Sequence, residues 1–503
     1  MPTYPNPPSD HLLRHGAVIR ESHHLCKGIV RFDEVEVACH FEVGYTDKCS
    51  IIVVLYLSTK EQMEVFGHKL RAGGQTRYSF PSNRNYHIAT IDGRDQRTGE
   101  TVTLNECALI DIGDTFFHTD DDGRPPAYVA RTMTVVRDVP PNDIVPLPRF
   151  GLNNVEIGAT FEPDVPFGPE DGTVRSMVLL RNTDLEEASA RHIPSTLYVL
   201  PQQTPAGFTE EALANLWCIA ASLALGRTIV WCYAIFADPI REVWQYRTGV
   251  ESEGTSALIK VRQVSHGSEF TEFVWAFIEA AVRRQLTEEF IVQLGTKVKS
   301  HISHRIAVTH IIDQLRLVTT STEELLDWVT QELNIAVESP ISEQNHSAFL
   351  DALKQWLNES LATTITDRAD RGFIKKRLIY LTRKELARLS LKVRLDKVLS
   401  NSTALAEWYE LFGAESTTEF ETLRNFVAHR GQFPYDDSTR NSWLYWNAVM
   451  MFPRIIFAVL EFPYIYRDLS VELNRGTPRL PSHGSLGSET RPSDGAEDET
   501  DTK

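Results

Sequence analysis

The sequence lacks the raw material of several common sites. Its six cysteines, Cys26, Cys39, Cys49, Cys107, Cys218 and Cys232, lie in the N-terminal half and never form a CxxC pair. That argues against a disulfide scaffold or a cysteine-built zinc module and predicts free thiols in a reducing compartment. There is no GxxxxGK loop, no GxGxxG and no GxSxG, so nucleotide-driven and serine-hydrolase chemistry have no signature here. Uninterrupted apolar runs are also missing. The stretch 216–236 is broken by Gly226 and Arg227, and 448–466 carries Pro453, Arg454, Glu461 and Pro463. Neither suits a lipid-facing helix, so no membrane span is expected. The opening "MPTYPNPPSDHLLRHG" has no charged-then-apolar export pattern, which predicts a cytoplasmic protein.

Positive charge is scarce overall. The 503 residues include 51 Lys and Arg against 68 Asp and Glu, a net charge of −17, which excludes a general nucleic-acid coat protein. The deficit is uneven. Between Arg368 and Lys397 stand eleven basic residues, Arg368, Arg371, Lys375, Lys376, Arg377, Arg383, Lys384, Arg388, Lys392, Arg394 and Lys397, against Asp370, Glu385 and Asp396. Such a window is either a solvated helix face or a surface that tracks phosphates. On the second reading Lys375, Lys376, Arg377, Arg383 and Lys384 are candidate RNA contacts.

Size predicts two or three domains, and hydropathy divides the chain. Residues 1–20 are proline-rich and read as a flexible arm. From about 21 to 265 the apolar period is two. In "EVEVACHFEV", Val35, Val37, Cys39, Phe41 and Val43 share one face, with Glu34, Glu36, His40 and Glu42 on the other. "CSIIVVLYL", "ECALIDIG", "ARTMTVVRDV", "STLYVL" and "RTIVWCYAIF" continue the strands, with one amphipathic helix at about 209–225. From about 266 to 475 the period becomes three to four, as in Phe349, Leu350, Leu353, Trp356 and Leu357. Capping boxes are expected at Thr382/Glu385 and Ser416/Glu419. Residues 476–503 have almost no apolar side chain and are expected to be disordered. The fold class is therefore α+β and multidomain, a β-rich domain followed by an all-helical one.

The stretch "LRNFVAHRGQF", Leu423–Phe433, concentrates chemistry. Ser416 as N-cap and Gly431 after the last turn predict a helix over 417–430, with a final helix over 438–460 kinked at Pro453. Asn425 and His429 are four apart and fall within about 40° of each other on one face; Arg424 lies about 140° round from His429. His429 and Arg430 also suit the negative end of any helix. That bland account leaves Asn425, a poor residue for a helix interior, unexplained.

With an apolar helix before it and a Trp-rich helix after it, this R-N-x-x-x-H stretch resembles the signature of HEPN domains. These are helical bundles whose motif is, in many members, a ribonuclease site. A β-rich domain ahead of such a bundle is similar to the arrangement in ApeA-like anti-phage proteins. The resemblance implies catalysis by Arg424, Asn425 and His429, a homodimer pairing two motifs, RNA of host or phage as substrate, and a phage-derived trigger. HepT-type members carry a tyrosine two residues after the histidine. Here Gly431 occupies that position and the nearest tyrosine is Tyr435, so control by tyrosine modification is not expected.

The residue types fit metal-independent RNA cleavage. Imidazole exchanges protons near neutral pH, and guanidinium grips phosphate while staying charged. The alternative is a non-catalytic module that binds RNA or dimerises through the same residues, regulated by the N-terminal domain. No cofactor and no metal centre are expected. His23, His24, Cys26, Cys39 and His40 are metal-type residues, but alternation separates Cys39 from His40. His301 and His304 lack a third ligand and read as helix surface.

Overall fold

The computed structural model describes residues 7–462 except 17, 19–21, 33–34, 47–49, 57–87, 112–124, 142–144, 153–176, 182–194, 200–203, 249–268, 307, 334–342 and 388–389. The tail expected to be disordered, 476–503, lies outside them. The chain forms two compact units, Met1–Ile306 and Ala307–Lys503. The class is α+β, with a β-barrel region first and a helical region second.

In the first unit eleven strands are described: β1 (His24–Phe32), β2 (Val35–Tyr45), β3 (Ile51–Tyr56), β4 (Ile88–Asp95), β5 (Thr101–Asp111), β6 (Ala127–Asp138), β7 (Arg149–Leu152), β8 (Met177–Arg181), β9 (Ser195–Val199), β10 (Trp231–Ala237) and β11 (Arg241–Arg247). They pair in the order β3-β2-β1-β4-β5-β6-β11-β10-β7-β9-β8, and β3 also pairs with β6. That extra pairing closes β1–β6 into an antiparallel barrel. β6 is long enough to serve two neighbours on one edge. Its first residues, Ala127–Ala130, pair with β3, and Thr132–Asp138 pair with β11.

Period-two alternation explains the barrel core. Val37, Cys39, Phe41 and Val43 of β2 are buried with Val30, Val53, Leu55, Ile91, Leu104 and Met133. Each fully buried large apolar side chain contributes roughly 1.5–3 kcal/mol. Glu42 departs from the pattern: it lies on the outer face, yet only 3% of it is exposed. A one-turn helix, Asp10–Leu13, covers it. Ser9 begins that turn, accepting from the Leu12 N–H at 3.3 Å, and Leu12 packs with Ile52, Val54 and Ala127. The N-terminal stretch is thus not wholly a loose arm, because Leu12 has apolar surface to bury. At Gly151 the ring of Tyr233 comes so close that a Cβ would lie 2.0 Å from it.

Helix α1 (Glu210–Leu225) starts at Thr209, whose hydroxyl accepts from the Ala212 N–H at 3.1 Å, and ends at Gly226 with φ 62°. It is buried nearly all round rather than amphipathic. α2 (Glu269–Arg283) and α3 (Glu288–Ile306) pack on it. This is why the unit boundary falls at 306/307 and not at the change of period near 265/266. An all-apolar helix needs cover on its second side, and α2 supplies Phe270 against Trp217 at 6.0 Å between ring centroids.

The second unit holds α4 (Ile311–Glu332), α5 (Glu343–Thr364), α6 (Arg368–Ala387), α7 (Leu391–Ser400), α8 (Ala414–Arg430) and α9 (Ser438–Leu460). α9 packs against α4, α7 and α8, while α5 and α6 pair as a hairpin. α8 begins earlier than the sequence predicts, continuing from Ala406–Trp408 through a π turn at Tyr409–Gly413. Ser416 is therefore no N-cap. It is buried and donates to Asn447 Oδ1, while Arg454 Nη1 donates to Ser416 Oγ at 3.1 Å and to Asn447 Oδ1 at 2.8 Å. The Arg454 guanidinium also lies over the Trp408 ring, 4.4 Å from its centroid. Thr382 and Glu385, the other expected cap, sit inside α6.

Candidate functional site

Phe420, Leu423 and Val427 are the apolar stripe of α8, buried against its neighbours. Their spacing of three and four fixes the rotation of the helix. Asn425 and His429 consequently emerge together on the exposed side. The helix stops at Gly431, whose φ of 66° closes the last turn and lets its N–H donate to the Phe426 carbonyl at 3.1 Å. Arg430 folds back over the Phe426 ring, 4.5 Å from the centroid.

Arg424 points differently. Its Nε donates to Glu323 Oε1 on α4, and Nη2 donates to Glu323 Oε2 at 3.3 Å. Nη1 donates to Asn425 Oδ1 at 3.1 Å. The Arg424 side chain is 31% exposed and that of Glu323 16%, so the pair is partly shielded and its geometry is two-pronged. Three of the five guanidinium donors are engaged among the described residues, leaving one N–H on each terminal nitrogen for another acceptor.

α4 is the second wall of the site. Arg316 Nε donates to the Val427 carbonyl at 3.0 Å, satisfying one of the open carbonyls at the end of α8. Its Nη1 is held by Asp313 at 2.9 Å. Further along α4, Asp327 pairs with Arg394 of α7. Burial lowers the Arg394 pKa from its ordinary value; Glu323 opposes that shift and Arg424 adds to it.

The structure places Arg424 beside Asn425 by a direct hydrogen bond, and Asn425 with His429 by shared exposure. Sequence reasoning missed Glu323 and Arg316. They lie seven apart on α4, hence on one face, but nothing in a single sequence says which helix that face meets. Tyr435 is committed elsewhere: its hydroxyl donates to Glu419, with oxygens at 2.9 and 3.1 Å, and Arg440 lies over its ring at 3.8 Å.

The basic window splits in three. Lys376 and Arg377 are exposed on α6, and Lys375 donates to Asn358 Oδ1 of α5 at 2.6 Å. The side chains of Arg383 and Lys384 lie outside the described residues. Arg394 and Lys392 are taken up by Asp327 and Asp396.

Among the metal-type residues, Cys39 is buried and His40 exposed, on opposite faces as alternation requires. His23 pairs with Glu42 at 2.8 Å, and His24 lies 3.2 Å from Asp95 and 3.3 Å from Glu100. His301 is not on a helix surface: it is buried in α3, and burial first, then Arg305 and His304, push its pKa well below the usual value. Among the described residues no group of three or more His, Cys, Asp or Glu side chains is arranged to hold a metal ion. One described helix, α9, has the length and hydropathy of a membrane span, and most of it is buried within the protein, as in a core helix.

Comparison with family models, curated proteins and solved structures finds no match for this chain.

Proposed function

We propose that the second unit is a HEPN-type, metal-independent endoribonuclease acting in anti-phage defence on host or phage RNA. The observation that carries this reading is the exposure of Asn425 and His429 on one face of α8, with the Arg424 guanidinium fixed beside Asn425. In the chemistry that suits these groups, a base removes the proton of the RNA 2′-hydroxyl. That oxygen attacks the adjacent phosphorus, and an acid protonates the departing 5′-oxygen. His429 serves one of these proton transfers, and Arg424 stabilises charge on the non-bridging oxygens. Base and acid stand on opposite sides of the phosphate, so the second histidine comes from a two-fold related copy. A phage-derived signal acting through the first unit would control such a site.

A second reading draws on the Arg424–Glu323 ion pair, which also suits a structural strut between α8 and α4 in a non-catalytic RNA-binding or dimerisation module. Incubating labelled RNA in EDTA with the wild type and with His429→Ala separates the two. The nuclease reading requires cleavage by the first and a loss of about 10²–10⁴-fold in the second. No cleavage by either favours the binding module, and equal cleavage by both removes His429 from the chemistry.

A further inference from the structure

The α5–α6 hairpin exposes aromatic side chains that most proteins would bury. Phe373 is 71% exposed, Trp356 59%, Tyr380 58% and Phe349 49%. The hairpin's own apolar contact is made elsewhere, by Leu350 and Leu357, which are buried. Phe373 and Tyr380 are seven residues apart on α6, so they lie within about 20° of each other around the helix. Arg377 and Lys376 fall between them, about 40° to one side and 60° to the other. The four side chains thus form one strip. Among the described residues no carboxylate pairs with Lys376 or Arg377, in contrast to Lys392 and Arg394.

We infer that this strip, Phe373, Lys376, Arg377 and Tyr380, is a binding site for single-stranded RNA. Exposed rings offer stacking platforms that accept any base, and the cations between them meet the backbone phosphates. The rings are separated by about 10 Å along the helix, close to three nucleotide steps of about 3.4 Å. α6 carries seven basic residues against Asp370 and Glu385 in a chain of net charge −17, so its local field favours a polyanion.

Two other occupants fit less well. A second copy docked by a two-fold axis through this strip would set Lys376 and Arg377 against their own copies. A membrane surface would need an apolar face segregated from the charges, whereas Lys376 and Arg377 lie among the rings on the same side of α6. In a duplex the bases are already stacked and paired, so the rings have nothing to grip. The inference rests on the RNA reading of this chain and names the form of RNA it takes.

The test uses the full chain carrying His429→Ala, so that no substrate is lost to cleavage, and a fluorescent twelve-nucleotide RNA, single-stranded or annealed to its complement. The expected result is tighter binding of the single strand. Replacing Phe373 and Tyr380 with Ala should weaken that binding about tenfold or more and leave its salt dependence unchanged. Replacing Lys376 and Arg377 with Gln should reduce the log–log salt slope by about 1.4. Single-strand binding that is absent in the parent, or unchanged in the aromatic pair, overturns the strip. So does a shift from dimer to monomer in the aromatic pair with RNA affinity unchanged, which would make the face a self-association surface. The nuclease reading stands or falls separately, on cleavage by the wild type against His429→Ala.

Discussion

Glu323 of α4 holds Arg424 of α8 by two prongs, through Nε and, at 3.3 Å, through Nη2. The contact joins two helices and fixes the plane of the guanidinium, so the side chain proposed to meet phosphate also ties α8 to α4. Arg424 thus has a partner on α4 that its place in the motif does not reveal.

Arg424→Ala should lower stability by about 1–2 kcal/mol, because it leaves the shielded Glu323 carboxylate without its partner. Arg424→Ala combined with Glu323→Ala should recover part of that loss, since the stranded charge is gone. Urea titrations of the single and double variants measure it. A loss below about 0.5 kcal/mol in the single variant would mean that the pair adds little to the fold.

His429→Ala should leave the unfolding midpoint within error of the wild type, for the ring is exposed and removing it strands no buried group. Activity and stability should part company in this variant. Where wild-type cleavage is seen, the products should carry 2′,3′-cyclic phosphate and 5′-hydroxyl ends, and DNA should survive because it lacks the attacking hydroxyl. End-labelling the fragments with and without phosphatase treatment checks the chemistry; 5′-phosphate ends would contradict it.

Gly431→Ala should cost about 1–2 kcal/mol, since an L side chain is disfavoured at a φ of 66°. The new Cβ would also meet Arg316 Nη2 at 3.0 Å. That guanidinium is the mobile end of a long side chain and can give way, at the expense of its bond to the Val427 carbonyl. Gly431→Asn should be milder, because asparagine tolerates this conformation better. Thermal melts of the two variants rank them.

Acid should loosen the first unit through Glu42. Burial by itself raises the pKa of this carboxyl, but hydrogen bonds from His23, Ser9 and Tyr56 outweigh it and bring the value down to about 2 from about 4.5. A depressed folded value means that the stabilisation is complete above about pH 4.5 and disappears as pH falls toward 2. Glu42→Gln should flatten the decline in stability across that window and cost about 1–3 kcal/mol at pH 7, where the amide cannot accept all the same bonds. Denaturant midpoints at several pH values reveal whether the slope changes.

Much of the architecture was legible because it depends on local period. The alternation of Val37, Cys39, Phe41 and Val43 marks β2, and the stripe of Phe420, Leu423 and Val427 marks α8 with its glycine stop. What the sequence could not show depends on which surfaces meet. Glu42 reads as a solvated strand residue until Ser9 and Leu12 cover it. Ser416 reads as a cap until the π turn carries the helix past it. His301 reads as surface because two polar neighbours in "HISH" disguise a buried position. At the candidate site the three motif residues were visible as letters, whereas Glu323 and Arg316 become partners only once α4 and α8 are side by side.

The double pairing of β6 bears on the order in which the chain folds. Its first residues need β3, where Ala130 meets Ile51, and its later ones need β11, where Asp138 meets Arg241. Neither contact is local, and closing such long loops costs entropy before any packing repays it. On the ribosome the barrel and its outer sheet must wait for β11 to emerge before the last edge of β6 is covered. In the second unit the α5–α6 hairpin is local, but α4 meets α8 and α9 across long loops, Glu323 and Arg424 being 101 residues apart and Gln314 and Tyr445 131. A refolding experiment that follows tryptophan fluorescence alongside helical dichroism should therefore show early dichroism from the local helices and a slower phase in which the long-range contacts of both units close.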